Sequence, residues 1–259
     1  MFDPQITHED VDALPYVAFG GKITLVKRAA DVAAAAEYLA LQPVLGYDTE
    51  TRPSFARGEH YGVSLLQLAT AEQAFLFRVD KVGLPLPLLE LLQRRQPLKV
   101  GVAIGDDIRG LQRIAPFTPQ GFVDLQKMAE AYGIQDKALK KVAAIVLGLR
   151  ISKSQQTSNW GAYSYSAEQK LYAATDAWVC REVYLKLLER SEEIAPTTAD
   201  AFVDFEKPKR KKRPRPRRWR ADGTRRPRPP RRRRRRRRAA AGAAGGEAAP
   251  APPVIIKAP

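Results

Sequence analysis

Residues 43–50 read PVLGYDTE. A proline ends whatever precedes it, an apolar run follows, and the run closes on two acids one residue apart. That is the pattern of a buried central strand whose C-terminal end carries Asp48 and Glu50. Side chains alternate along a strand, so the D-x-E spacing turns both carboxylates to one face and into one cleft. Two acids there are costly unless water or a cation meets them. Taken alone, a D-x-E pair is most often solvated.

The flanking sequence places this strand in a sheet. Upstream, GKITLVK (21–27) alternates like a strand, and Asp31 stands near the start of an Ala-rich helix that Pro43 stops. Downstream, a polar loop with Arg52, Arg57 and His60 leads to GVSLLQLAT (62–70) and AFLFRVD (74–80), two strand-like runs around a polar turn at Glu72, the signature of a hairpin. Residues 85–95 read as a helix, LKVGVAI (98–104) as another buried strand, and DDIRGLQRI (106–114) as a short helix. FVDLQKMAEAYG (122–133) reads as strand-to-helix, and ALKKVAAIVLGL (138–149) as an amphipathic helix stopped by Gly148. The stretch 152–166 is polar and turn-rich. A long helix then runs over 167–190, with Leu171, Ala174, Trp178 and Leu185 as its expected buried stripe. Strands first and helix–strand alternation after them predict an α/β fold, a mixed sheet flanked by helices.

Two further acids join Asp48 and Glu50. In GVAIGDDIRGL, Asp107 has Ile108 and Leu111 at i+1 and i+4 as an anchoring apolar pair, which favours Asp107 as the inward group and leaves Asp106 as the expected helix N-cap. In YAATD, Tyr172 and Asp176 are i and i+4 partners, so one helical face offers a phenol and a carboxylate together. Clustered acids with two His and one Cys favour hard divalent cations and phosphate chemistry over zinc. These segments, DTE (48–50), SLLQLAT (64–70), VGVAIGDD (100–107), SNW (158–160) and EQKLYAATDAW (168–178), together resemble the DEDD superfamily of 3′–5′ exonucleases. The branch they resemble is the DEDDy subgroup of ribonuclease D and the Werner-syndrome-helicase exonuclease domain, over roughly residues 20–190.

The resemblance implies a ribonuclease-H-like fold and a site of two Mg²⁺ or Mn²⁺ ions clamping the scissile phosphate. Asp48 would bridge them, Glu50 and Asp176 would complete one ion's ligands, and Asp107 would act through water on the other. Tyr172 would orient the attacking water, and nucleoside 5′-monophosphates would leave from the 3′ end of DNA or RNA. Within SNW, Asn159 is a candidate for sugar or phosphate and Trp160 for base stacking; a loop Trp clamped on the core is the competing reading. Gln67, an amide among apolar residues, is expected to bond within the fold.

Charge is unevenly divided. Residues 207–259 hold 22 of the 44 Lys and Arg against two acids, a net of +20, which leaves residues 1–206 with 22 basic and 26 acidic residues, a net of −4. The expected organisation is an N-terminal extension (1–19), an exonuclease domain (20–206) and a disordered Arg/Pro-rich then Ala/Gly/Pro-rich tail (207–259). Arginine pairs with phosphate, so the tail, with Trp219 and the run containing Arg231, Arg232 and Arg233, is expected to hold nucleic acid without reading its sequence. The terminal VIIKAP is a candidate peptide ligand. A non-catalytic, exonuclease-like scaffold acting through this tail is the alternative function. Single Cys180 excludes an intramolecular disulfide, and no apolar run spans a bilayer. The expected location is cytoplasmic, or nuclear in a eukaryote by way of the basic tail.

Overall fold

The computed structural model describes residues 2–54, 58, 59 and 61–190, and the backbone of Val254–Ile256. Arg57, His60, Trp219, Arg231, Arg232 and Arg233, the boundary expected at 206 and most of the tail expected to be disordered lie outside the described residues; Val254–Ile256, within that tail, form a strand instead.

In chain order the elements are α1 (His8–Ala13), β1 (Val17–Phe19), β2 (Lys22–Val26), α2 (Val32–Ala40), β3 (Val44–Thr51), β4 (Val63–Ala69), β5 (Gln73–Phe77), α3 (Val79–Val82), α4 (Leu86–Gln93), β6 (Leu98–Gly101), α5 (Gly105–Ile114), β7 (Phe122–Asp124), α6 (Leu125–Ala131), α7 (Leu139–Leu147), α8 (Ala167–Leu188) and β8 (Val254–Ile256). A six-stranded mixed sheet runs β2-β5-β4-β3-β6-β7. Its β3/β4 and β4/β5 pairs are antiparallel and its β2/β5, β3/β6 and β6/β7 pairs parallel. β1 pairs separately with β8, in parallel, with Val17 opposite Val254.

The sheet is covered on both faces because its central strands are apolar on both. Leu45, Tyr47, Leu66 and Leu68 join Ile104, Ile108 and Leu111 in one core, on the side of α5. On the opposite face Leu65 and Ala69 pack with Ala173, Ala174 and Ala177 of α8. A third cluster joins Val100 and Val123 to α6, α7 and the second half of α8.

Helix α8 opens on a full capping box: the Ser166 hydroxyl accepts from the Gln169 amide at 3.2 Å, and the Gln169 side chain accepts from the Ser166 amide at 3.0 Å. Its buried residues include Ala173, Ala174, Ala177, Cys180 and Leu187, whereas Leu171, Trp178 and Leu185 of the expected stripe are only half-buried. The correction has a physical reason. A helix packed on the sheet, on β1 and on α7 at once has no single apolar stripe, and small residues carry its closest contact. Gly46 marks that contact, since any Cβ there would collide with the Ala177 carbonyl. Gly148 ends α7 in the left-handed conformation at φ 67°.

The first 19 residues are not an appendage. Val11, Val17 and Phe19 are buried, the Phe19 amide donates to the Thr175 hydroxyl of α8 at 3.0 Å, and the Ile6 amide donates to Asp136 at 2.9 Å.

Candidate active site

The site is built where β3 runs out under α8. β3 turns Asp48 and Glu50 to the α8 side, the face on which Gly46 meets Ala177, and α8 returns Asp176 to the same place from 128 residues later in the chain. One carboxylate oxygen from each of Asp48, Glu50 and Asp176 lies within 4.8 Å of the others. Asp48, Glu50, Tyr172 and Asp176 line one wall of a cleft of about 280 Å³, which Lys153 and Gln156 also line.

Asp107 stands just outside this triad. Its carboxylate accepts from the Thr49 hydroxyl at 2.8 Å, on the strand residue between Asp48 and Glu50. The loop leading to α5 is pinned by Asp124, which accepts from the amide of Ala103, a residue at φ 56°. Asp106 is separated from the site, exposed and paired with Arg109 on the helix surface. It is not the N-cap expected of it: that position is Ile104, which has no side-chain cap bond.

The electrostatics of the triad are those of crowded acids without a counter-ion. Burial, then the neighbouring Asp176 and Asp107, hold the Asp48 carboxyl well above the usual range. Burial and the neighbouring Asp48, Asp176 and Asp107 push Glu50 up to about 10. Burial lifts Asp176 to about 7, against a hydrogen bond from the Tyr172 hydroxyl that pulls it down. Asp107 rises to about 6, chiefly from burial. Among the described residues no Lys or Arg forms an ion pair with any of the four. Converging oxygens that repel one another and lack a protein cation are a donor set for a hard divalent cation, so these residues fit the metal chemistry that the sequence suggested.

Tyr172 donates its hydroxyl to Asp176, and burial and that carboxylate raise its pKa, so the phenol stays protonated. Behind it lies Trp160, at 6.1 Å between ring centroids, and Tyr165 meets the same indole edge-on at 5.3 Å. Trp160 is 0% exposed. Of the two readings of Trp160, base stacking is therefore the one set aside: the ring has no free face and clamps the loop onto the core. Asn159 is exposed, and its side-chain oxygen accepts from the Gly161 amide at 3.1 Å, which shapes the turn. Arg52 lies over the Tyr61 ring at 4.4 Å, beside Gly161.

Three features were not foreseen. Thr49, the middle residue of the D-x-E segment, holds Asp107 through its hydroxyl. Lys153 and Gln156 come from the turn-rich stretch, where no periodicity singles out a residue. Gln67, expected to bond within the fold, is 0% exposed and neither of its amide atoms has a partner, at a cost of roughly 1–3 kcal/mol for each orphaned group.

A mixed sheet flanked by helices, with a carboxylate cluster at the end of its central strand, defines a ribonuclease-H-like domain. The family model described as 3′–5′ exonuclease matches residues 23–192, and the chain belongs to that family. It is 31% identical over 186 residues to the bifunctional 3′–5′ exonuclease/ATP-dependent helicase WRN of Mus musculus, a match covering 68% of this chain and 13% of that protein. It is 30% identical over 172 residues to ribonuclease D of Gluconacetobacter diazotrophicus, covering 65% and 43%. Among solved structures, the Nibbler EXO domain of Aedes aegypti superposes with a TM-score of 0.59 at 25% identity, covering 66% of this chain and 89% of that domain. The chain thus spans less than half of the two full-length relatives.

Proposed function

We propose that this domain is a metal-dependent 3′–5′ exonuclease that removes nucleoside 5′-monophosphates one at a time from a nucleic-acid 3′ end. The observation that carries the reading is the convergence of Asp48, Glu50 and Asp176 within 4.8 Å, with no ion pair to a Lys or Arg among the described residues, in a chain of the 3′–5′ exonuclease family. Two Mg²⁺ or Mn²⁺ ions bound there would supply the positive charge that stabilises the phosphate in the transition state and would acidify the attacking water.

The chain's own residues divide the remaining work. Asp48, Glu50 and Asp176 would hold the ions, and Asp107, set back against Thr49, would assist. Tyr172 keeps its proton, so it serves as a hydrogen-bond donor that orients Asp176 and the water beside it and not as a general base. Lys153 and Gln156, which line the same cleft, would meet phosphate and sugar. The Arg-rich tail would add non-specific attraction for the phosphate backbone to a domain whose own net charge is slightly negative.

The test is an oligonucleotide labelled in turn at its 5′ and its 3′ end, in DNA and RNA forms. The full chain with Mn²⁺ should shorten the 5′-labelled strand stepwise and release the 3′ label as a mononucleotide. Chelator or Asp48→Ala should stop both. Internal cleavage, or activity persisting in chelator, would refute the reading.

A further inference from the structure

Tyr47, Trp160 and Arg181 each leave one buried side-chain polar atom without a partner, and Gln67 leaves both of its amide atoms so. β3 and β4 pair antiparallel with Asp48 directly opposite Gln67. Residues opposite each other in such a pair project to the same face, with Cβ atoms about 4.5–5.5 Å apart. That face is the α8 side, where Leu65 and Ala69, two residues before and after Gln67, pack on Ala173, Ala174 and Ala177. Across β4's other edge the partner is Leu76, fully buried. Asp48 is therefore the only polar side chain directly across from Gln67, and leucine would suit the other contacts better. A local rule broken beside a functional site, with no gain in packing, points to function.

We propose that Gln67 is a positioning residue: its amide N–H, unpartnered in the metal-free structure, engages the Asp48 carboxylate across the strand pair when a cation is bound and fixes the orientation that binding requires. The amide itself touches no substrate. An amide one strand away restricts a carboxylate that must present particular oxygens to the ions, and such outer partners typically change metal affinity or activity 10–100-fold when removed. The inference rests on the metal-dependent reading of the site.

The experiment compares the full chain with Gln67→Leu and Gln67→Met, which remove the amide and keep most of the volume. Thermal unfolding in chelator and Mn²⁺ binding by calorimetry are measured on each, followed by kcat and KM on an end-labelled oligonucleotide. The expected result is a metal-free Tm equal to or above that of the parent, Mn²⁺ affinity about 10-fold weaker, and a fall in kcat with KM little changed. Parental Mn²⁺ affinity in either folded variant would overturn the proposal. So would a lowered metal-free Tm in both variants, which is the mark of a purely structural amide. Should the parent bind no Mn²⁺, the metal-dependent reading fails and this proposal with it. Should the parent bind Mn²⁺ but release no nucleotide, only the exonuclease reading fails, and the binding comparison still decides the role of Gln67.

Discussion

Asp176 shows how one residue can be costly to the fold and indispensable to the site. It is 6% exposed and lies close to two other acids, with only the Tyr172 hydroxyl to offset its charge. Asp176→Asn keeps an acceptor for Tyr172 and removes the charge. In metal-free protein the variant should therefore unfold a few degrees higher, on the order of 1 kcal/mol, while nucleotide release falls about 100-fold or more. Calorimetry in chelator and the end-label assay read the two effects, and a variant less stable than the parent would contradict the crowding described for the triad. Asp106 and Asp107 make the complementary point. They are adjacent in sequence, but one is paired with Arg109 on a helix surface and the other is tied to Thr49, because helical geometry separates neighbours by about 100°. Ile108 and Leu111, the apolar partners that favour Asp107 in the sequence, agree with this arrangement, since both are fully buried.

At the scale of elements, the packing of β3 against α8 sets the distance from Asp48 to Asp176. Gly46→Ala places a methyl against the Ala177 backbone, which has no rotamer with which to yield, so the helix must shift. The expected cost is roughly 2–3 kcal/mol, seen in denaturant unfolding, together with weaker Mn²⁺ binding as Asp176 moves away from Asp48. Unchanged stability would show that α8 has slack. The same packing explains what the sequence revealed and what it hid. β3, β4 and β5 were legible because alternation, a closing acid pair and a polar turn at Glu72 are local signals. The stripe of α8 was not, because its partners lie on several sides and its closest approach uses alanines that no hydropathy pattern marks. α1 and β1 were missed because six and three residues are too short for a period to emerge; what holds them is tertiary, as with the Phe19–Thr175 bond. Trp160 was weighed as a base platform because the sequence cannot show that Tyr165 and Tyr172 enclose it.

For the whole molecule, the raised carboxyl pKa values make stability depend on pH and metal together. Glu50 near 10, Asp176 near 7 and Asp107 near 6 all exceed their unfolded values. The folded metal-free domain thus binds protons that the unfolded chain has released. Their stabilising contribution is complete below about pH 4 and is lost progressively as pH rises from there through the folded values, up to about pH 10. Thermal scans in chelator should show Tm falling from about pH 6 to about pH 9. Saturating Mn²⁺, which competes with those protons, should raise Tm most at the alkaline end. A flat metal-free profile would rule out the crowding. The tail is tested separately by replacing the eight arginines at 231–238 with Gly and Ser. The slope of log affinity against log salt should become shallower, by up to about 0.7 for each single-strand phosphate that the arginines no longer neutralise. Cleavage of a short oligonucleotide at low salt should change little. An unaltered slope would exclude the arginines from substrate capture.

The separation of 128 positions from Asp48 to Asp176 carries a temporal meaning as well as a spatial one. During synthesis the acids of β3 emerge early, and Tyr172 and Asp176 come only with the last helix of the domain. No stretch of chain ending before α8 contains the complete set of acids, and the missing one arrives on the element whose docking on Gly46 closes the fold. The order of residues along the chain therefore acts as an interlock: a nascent copy that ends before α8 lacks the full set of acids.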